Sequence, residues 1–451
     1  MNTPNLREAA YFALFAARGQ PVGSYYRRML REVRDGIPPE TSARLLAHML
    51  AHCQDHVPYY ADVMGAAGGS YRADPESYLT RLPILTKDII RTRFDDLKSD
   101  DLPQRAWHFN TSGGSTGEPV RFIQDRGYET RAGAVKLLFP KLVGREVGQP
   151  EFRLWGAHRD VARATANLRA QLLCWLSNTK FLDGFVMTPA RMRDYIAMLN
   201  KARPRLITAY AGAIYELAKF AEREGLPVRP PSAIMTSAGM LYPFMREKIE
   251  TVFQCQVYNR YGSREVGDIA CERPGRGGLW VAPWGNYLEI VDGEGRRVPD
   301  GGEGDIIITS LTNFAMPLIR YRIGDRGVLA PREGDDRMGA GQVLREITGR
   351  DTDMLRGKSG QLIHAGNFMV MLFFRDWIRK YQVIQKITGW MRILSPSSGA
   401  PAAGAVAMAL SARLLLPKLS HATHSRTGWA LPPAGLESMQ QLPTGVLRRT
   451  W

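Results

Sequence analysis

Cysteine is scarce: Cys53, Cys174, Cys255 and Cys271 are the only four in 451 residues. They stand far apart and form no CxxC pair, which argues against a disulfide framework and against a structural zinc site. A reducing cytoplasm is the expected setting. No apolar run approaches the ~20 residues that a membrane helix needs, so no transmembrane segment is expected. The stretch "AAYFALFAARG" is briefly apolar, but Glu8 precedes it and Gln20-Pro21 follow without a cleavage pattern. A secretory leader is therefore not expected. Acidic residues are the minority, 44 against 60 Lys and Arg, for a formal charge of +16. The excess forms no long basic block and no aromatic-studded basic motif, so it supports no nucleic-acid partner. A diffuse positive field still attracts nucleotides, anionic carriers or an anionic membrane surface.

What is present is ordinary globular material, 44% apolar and 23% charged, long enough for two or three domains. Residues 39–60 carry Leu45, Leu46, Met49, Leu50 and Cys53 at helical spacing, which predicts one helix with Thr41 or Ser42 as its cap. "LPILTKDIIRTRF" predicts another, with Thr86 near its start. Between residues 205 and 262 the type alternates: "RLITAY", "SAIMTSAG" and "QVYNRYG" read as strands. "AIYELAKFAEREG" and "YPFMREKIETVF" read as helices. Such alternation implies parallel pairing through right-handed crossovers. Ligands then bind at the carboxyl ends of the strands, where "AYAGA", "TSAGM" and "RYGSREVGD" should share one edge. After Trp284 the pattern becomes antiparallel, with turns at Asp292-Gly293 and Gly301-Gly302. From residue 395 onward a single carboxylate, Glu437, faces Arg413, Lys418, Arg426, Arg448 and Arg449, and strand signals are sparse.

Four short segments could carry chemistry. "FNTSGGSTGEPVRF" offers convergent backbone N–H groups and the hydroxyls of Thr111, Ser112, Ser115 and Thr116. It lacks the GK[ST] ending of a Walker loop. Alone it is as readily a linker, but its place between a helix and a strand favours an anion-binding turn. In "YNRYGSREVGD", Tyr261 could stack on a purine and Glu265 could hold Mg²⁺. The alternative is a strand-to-helix turn with Ser263 as cap. "YRIGD" places Asp325 after a strand, as a ribose ligand or a plain turn. "ITGRDTDML" places Arg350 at a hinge or an ordinary loop.

In this order the segments "TSGGSTGEP", "YGSREVGDIACE", "NFAMPLIRYRIGDRG" and "ITGRDTDML" resemble the adenylate-forming ligase superfamily. The branch is that of phenylacetate–CoA ligases and the CapK-type proteins of polysaccharide gene clusters. The likeness covers about residues 59–385. It implies an α/β fold: a large N-terminal adenylate-forming domain, residues 1–347, with parallel α/β sheets and a β-rich section. A small α+β C-terminal lid, residues 348–451, would follow. By the resemblance, Thr111, Ser112, Gly113, Gly114, Ser115, Thr116 and Gly117 bind the ATP phosphates. Ser237, Ala238, Gly239, Met240, Tyr261, Gly262 and Ser263 form the adenine side of the site. Asp325 and Arg350 hold the ribose, and Glu265 is the metal ligand. Glu265, Arg350 and Thr116 are the implied catalytic residues. Trp155, His158 and Tyr210 are candidates for the acyl pocket, each with simple packing as the alternative.

The implied activity joins a carboxylic acid to AMP, releases pyrophosphate, and passes the acyl group to coenzyme A. An amine acceptor or a catalytically weak nucleotide-binding scaffold are the alternatives. ATP, Mg²⁺ and coenzyme A are the implied cofactors, and a homodimer is left open. The chain departs from the family pattern at several points. Val120 and Arg121 stand where a lysine often closes the phosphate loop, with Arg121 able to supply the charge. Thr352 replaces a hinge carboxylate. Cys271-Glu272 lacks the rest of a Cys/His cluster, so zinc is not expected. Val446 stands in the position of the lid lysine. A diverged lid, a lid supplied by a partner and a shifted reading frame after about residue 395 all remain open.

Overall fold

The computed structural model describes residues 5–112, 119–155, 167–331, 341–350, 354–356, 362–364, 382–387 and 390–394. Two compact units meet in the chain between Gly349 and Arg350. The larger opens with helices α1 (Leu6–Ala16), α2 (Val22–Asp35), α3 (Thr41–His56), α4 (Pro58–Ala67), α5 (Pro75–Leu79) and α6 (Lys87–Thr92). A hairpin of β1 (Trp107–Thr111) and β2 (Arg121–Asp125) follows, then α7 (Arg126–Leu142).

Alternation follows: β3 (Glu151–Trp155), α8 (Leu168–Ser177), β4 (Thr179–Asp183), α9 (Pro189–Ala202), β5 (Leu206–Tyr210), α10 (Ala211–Arg223), β6 (Ala233–Ser237), α11 (Pro243–Phe253) and β7 (Val257–Ser263). Beyond it the chain is all strand: β8 (Gly267–Cys271), β9 (Leu279–Val281), β10 (Asn286–Val291), β11 (Glu303–Ser310), β12 (Tyr321–Leu329) and β13 (Val343–Arg350). In the smaller unit, β14 (Met354–Arg356) pairs with β15 (Leu362–His364), and β16 (Gln382–Ile387) with β17 (Trp390–Leu394).

Local chemistry explains most boundaries. Thr86 caps α6 by accepting from Ile89 N at 3.2 Å, as its position predicts. The buried residues of α10 include Ile214, Leu217, Ala218 and Ala221, the face its spacing predicts, and Gly225 leaves the helix at φ +63°. The single helix expected over residues 39–60 is instead two. Pro58 cannot donate to α3, and it forces Val57 into an extended conformation, so it opens α4 instead. Neither expected cap acts as one. Thr41 lies inside α3, and Ser42 donates to Pro283 O at 3.3 Å.

β3 to β13 form one sheet in the order β10-β11-β12-β13-β9-β8-β7-β6-β5-β3-β4. From β4 to β7 the pairing is parallel; from β7 to β8 and β9 it is antiparallel, as it is between β10, β11 and β12. One core packs α3, α4 and α5 with β10, β11 and β12, around Leu50, Leu79, Ile306 and Tyr321. A second packs α1, α2 and α7 against one face of the parallel strands, around Phe12, Tyr26, Leu206 and Met235. Arg320, 3% exposed, pairs with Glu289 at 3.1 Å and donates to the carbonyls of Thr80, Leu82 and Gly295. One buried guanidinium thus fastens the helical N-terminal segment to the β-rich section.

A second buried ion cluster sits under α7. Glu151 takes Arg145 at 3.1 Å, Arg153 at 2.8 Å and the Thr208 hydroxyl at 2.8 Å. Burial alone would raise this carboxyl, but the Arg153 and Arg145 guanidiniums outweigh it and hold it at about 2. A depressed carboxylate stabilises the fold above its ordinary value of 4.5 and loses that contribution as pH falls toward about 2. Glu151→Gln, which leaves Arg145 buried and under-paired, is expected to cost ~3–5 kcal/mol at neutral pH. It should also flatten the stability profile between those two pH values. Urea midpoints of both proteins from pH 7 to pH 3 check this.

Candidate active site

The Gly/Ser/Thr loop leaves the β1–β2 hairpin through a closed neck. Ser112 N donates to Val120 O, and Val120 N donates to Ser112 Oγ, both at 2.9 Å. Ser112 is buried, so its hydroxyl anchors the loop base. Thr111 ends β1 beside it. Gly113, Gly114, Ser115, Thr116 and Gly117 lie outside the described residues, as do His158, Thr352, Val446 and the side chain of Arg350. The Arg121 guanidinium stacks on the rings of Phe109, 4.4 Å from its centroid, and Phe94, at 5.1 Å. Cys271 lies in the core, where burial pushes its thiol up.

The neck is tied to the next segment by a residue the motifs did not flag. Asn110 Nδ2 donates to Gln124 Oε1 at 2.9 Å, and Gln124 Nε2 donates to the carbonyls of Arg264, at 2.9 Å, and Glu265, at 3.2 Å. Gln124 is 3% exposed. A buried amide with its donors and acceptor satisfied fixes what it touches, here the turn bearing Glu265. Gln124 sits in "RFIQD", where a polar residue among apolar neighbours was the available signal.

That turn is not the start of a helix, the alternative in which Ser263 would be a cap. β7 runs through Ser263, turns at residues 264–266 and returns as β8. Gly262 is demanded by close approach, since a Cβ there would stand 2.8 Å from Gly267 O. The Ser263 hydroxyl is buried and has no partner among the described residues.

Two hydrogen bonds join this turn to β12. Tyr261 Oη donates to Asp325 Oδ2 at 2.8 Å, and Tyr321 Oη donates to Glu265 Oε1 at 3.4 Å. Burial, then the Glu265 charge, pushes the Tyr321 phenol up, so it remains a donor. Tyr261 is itself 9% exposed. Asp325 is aimed by a bulge: pairing passes from Asp305↔Arg326 to Ile307↔Arg322, so β12 carries extra residues there. Gly324, at φ +91°, lies in the bulge.

β5 and β6 end in register, Tyr210 opposite Ser237. Ala238 then takes φ +58°, a left-handed conformation unusual for a residue with a Cβ, and begins the turn through Gly239 and Met240. On the neighbouring strand end, Trp155 and Tyr210 meet at 4.4 Å between ring centroids, with Phe185 5.8 Å from Tyr210. The structure therefore brings Tyr261, Asp325, Glu265 and the loop neck together, and Trp155 and Tyr210 likewise.

Solved structures with this architecture include 2-hydroxyisobutyryl-CoA ligase in the postadenylation state with a bound acyl-AMP. Its TM-score is 0.64 at 17% identity over 81% of this chain and 80% of that one. The chain has the adenylate-forming ligase fold. In sequence it is similar to Protein CapK of Staphylococcus aureus, 22% identical over 324 residues, 70% of this chain and 68% of that protein. It is also similar to phenylacetate-coenzyme A ligase of Pseudomonas putida, 24% identical over 328 residues, 68% of this chain and 69% of that one. No protein-family profile matches. Among the described residues, no helix is long and apolar enough to cross a membrane.

Within the adenylate-forming fold, the Gly324 conformation sets Asp325. A Cβ at Gly324 would meet no neighbour, so Gly324→Ala tests backbone strain alone. Its left-handed φ is expected to cost ~1–2 kcal/mol, read as a lowered thermal midpoint.

Proposed function

We propose that the chain is an AMP-forming ligase that activates a carboxylic acid with ATP, releases pyrophosphate and transfers the acyl group to coenzyme A. The carrying observation is the crossed pair Tyr261–Asp325 and Glu265–Tyr321, held by Gln124 beside the neck of the Gly/Ser/Thr loop. Asp325, oriented by Tyr261, would accept from the ribose hydroxyls. The backbone N–H groups of residues 113–117 would take the phosphates, and Ser237 to Met240 the adenine edge. Glu265 fits a magnesium site: it is a hard oxygen donor, buried, restrained by a long bond from Tyr321, and paired with no cation among the described residues. Magnesium there would neutralise charge on the triphosphate.

No covalent intermediate on the protein is needed. The acid's carboxylate attacks the α-phosphorus, the α–β bridging P–O bond breaks, and pyrophosphate leaves. The chain contributes positioning and charge compensation. The second unit would act as the lid for acyl transfer. CoA complexes of 2-hydroxyisobutyryl-CoA ligase support a thiol acceptor through the shared fold.

Carboxylate-dependent ATP–pyrophosphate exchange, run over aryl, fatty, amino and dicarboxylic acids, tests the proposal. Exchange with at least one acid is expected, and Glu265→Gln should reduce it by about 100-fold or more. ATP binding with no exchange for any acid would refute ligase activity in favour of a nucleotide-binding scaffold.

A further inference from the structure

Arg260 is buried at a point where nothing obvious uses it. It precedes Tyr261 on β7 and so faces the opposite side of the sheet, toward α7. Only 8% of it is exposed. Its Nη1 lies 3.4 Å from Asp268 Oδ2, and its Nε has no partner among the described residues. The guanidinium carbon stands 5.8 Å from the Trp155 ring centroid, so Arg260 borders the aromatic pair of Trp155 and Tyr210.

A second cation approaches from α7. Tyr128, Ala132 and Lys136 fall at i, i+4 and i+8 on one helical face. Tyr128 and Ala132 lie beside Gly267, where a Cβ would be 3.0 Å from the Tyr128 hydroxyl and 3.6 Å from Ala132 Cβ. Lys136 continues that face one step further along α7. Lys136 is solvent-accessible. Its ammonium is nonetheless lowered by burial and then by Arg153, with Asp268 opposing and Arg260 adding to the effect.

The charges do not balance. Glu151 serves both Arg145 and Arg153, and Asp268 pairs with Arg260 while its charge also acts on Lys136. Each carboxylate thus answers two cations. A cation left under-paired away from water is costly unless something else pairs it. A simple acid brings one carboxylate, and adenylation consumes that charge at the α-phosphate, leaving Asp268 shared between Arg260 and Lys136.

We propose that Arg260 and Lys136 form a subsite for a second anionic group, so that the acid activated here carries a carboxylate or phosphate besides the carboxylate that reacts. This rests on the ligase reading above. The body of the acid lies against Trp155 and Tyr210, and the distal anion reaches Arg260 and Lys136. Aryl or fatty monoacids leave the subsite empty.

The test uses the full chain and matched ligand pairs: dicarboxylic acids and phosphate-bearing acids, each beside its neutral methyl ester or dephosphorylated form. Equilibrium binding is measured by calorimetry, and pyrophosphate exchange is measured separately. The doubly anionic member of at least one pair is expected to bind about tenfold or more tightly than its neutral counterpart. Lys136→Met, at an accessible position, should reduce that preference to within about twofold, and Arg260→Lys should retain more of it than Arg260→Gln. Which pairs show the preference tells carboxylate from phosphate. Equal binding within every pair, no binding by any acid, or an unchanged preference in both Lys136→Met and Arg260→Gln would overturn the subsite. Selective binding without exchange would instead refute the ligase reading and leave the subsite standing. Exchange with neutral monoacids and no preference would do the reverse.

Discussion

One strand, β7, carries the constraint on which both halves of the large unit depend. Residues 257–259 pair in parallel with β6, and from Arg260 onward the strand pairs antiparallel with β8. A strand that changes partners this way cannot slip by one residue without turning every side chain to the wrong face. Gly262 secures it, because no residue with a Cβ fits against Gly267 O. Alternation along β7 then puts Arg260 under α7 and sends Tyr261 to Asp325 on the other side. Two consecutive residues of one strand thus reach opposite faces of the sheet.

β12 shows why the sheet must be curled for this to work. Three strands, β8, β9 and β13, separate β7 from β12 in the sheet order. Neighbouring strands lie about 4.8 Å apart, so a flat sheet would leave these two far beyond hydrogen-bond reach. Twist accumulated over the intervening strands brings the Tyr261 hydroxyl to 2.8 Å from Asp325. The bulge at Gly324 finishes the alignment. Arg320 holds the same region from behind by fastening the residue 80–82 segment to β12's start.

Electrostatics in this chain act locally rather than through the overall charge of +16. Most ion pairs are exposed and contribute little, such as Arg34 with Asp35 or Arg296 with Asp292. The consequential charges are the few taken out of water: Glu151 between two arginines, Arg320 on Glu289, and Arg260 beside Asp268. In the first two the cations are met by carboxylates and carbonyls. In the third, the Arg260 Nε has no partner among the described residues.

The sequence by itself determined the alternation of strands and helices over residues 205–262, because period 2 and period 3.6 apolar patterns are local properties. It also determined the turn positions at Asp292-Gly293, and the glycine-, hydroxyl- and carboxylate-bearing segments, because their residue types are their chemistry. It did not determine where α3 ends, although Pro58 was in plain view, since a periodic apolar pattern ran straight across it. Gln124 and Tyr321 are polar groups among apolar or charged neighbours, and no spacing marked their contacts with the turn that bears Glu265. Only the tertiary structure decided their roles. Each acts on a partner far away in sequence, such as Tyr321 on Glu265, and only packing and sheet curvature can bring such pairs within hydrogen-bond distance.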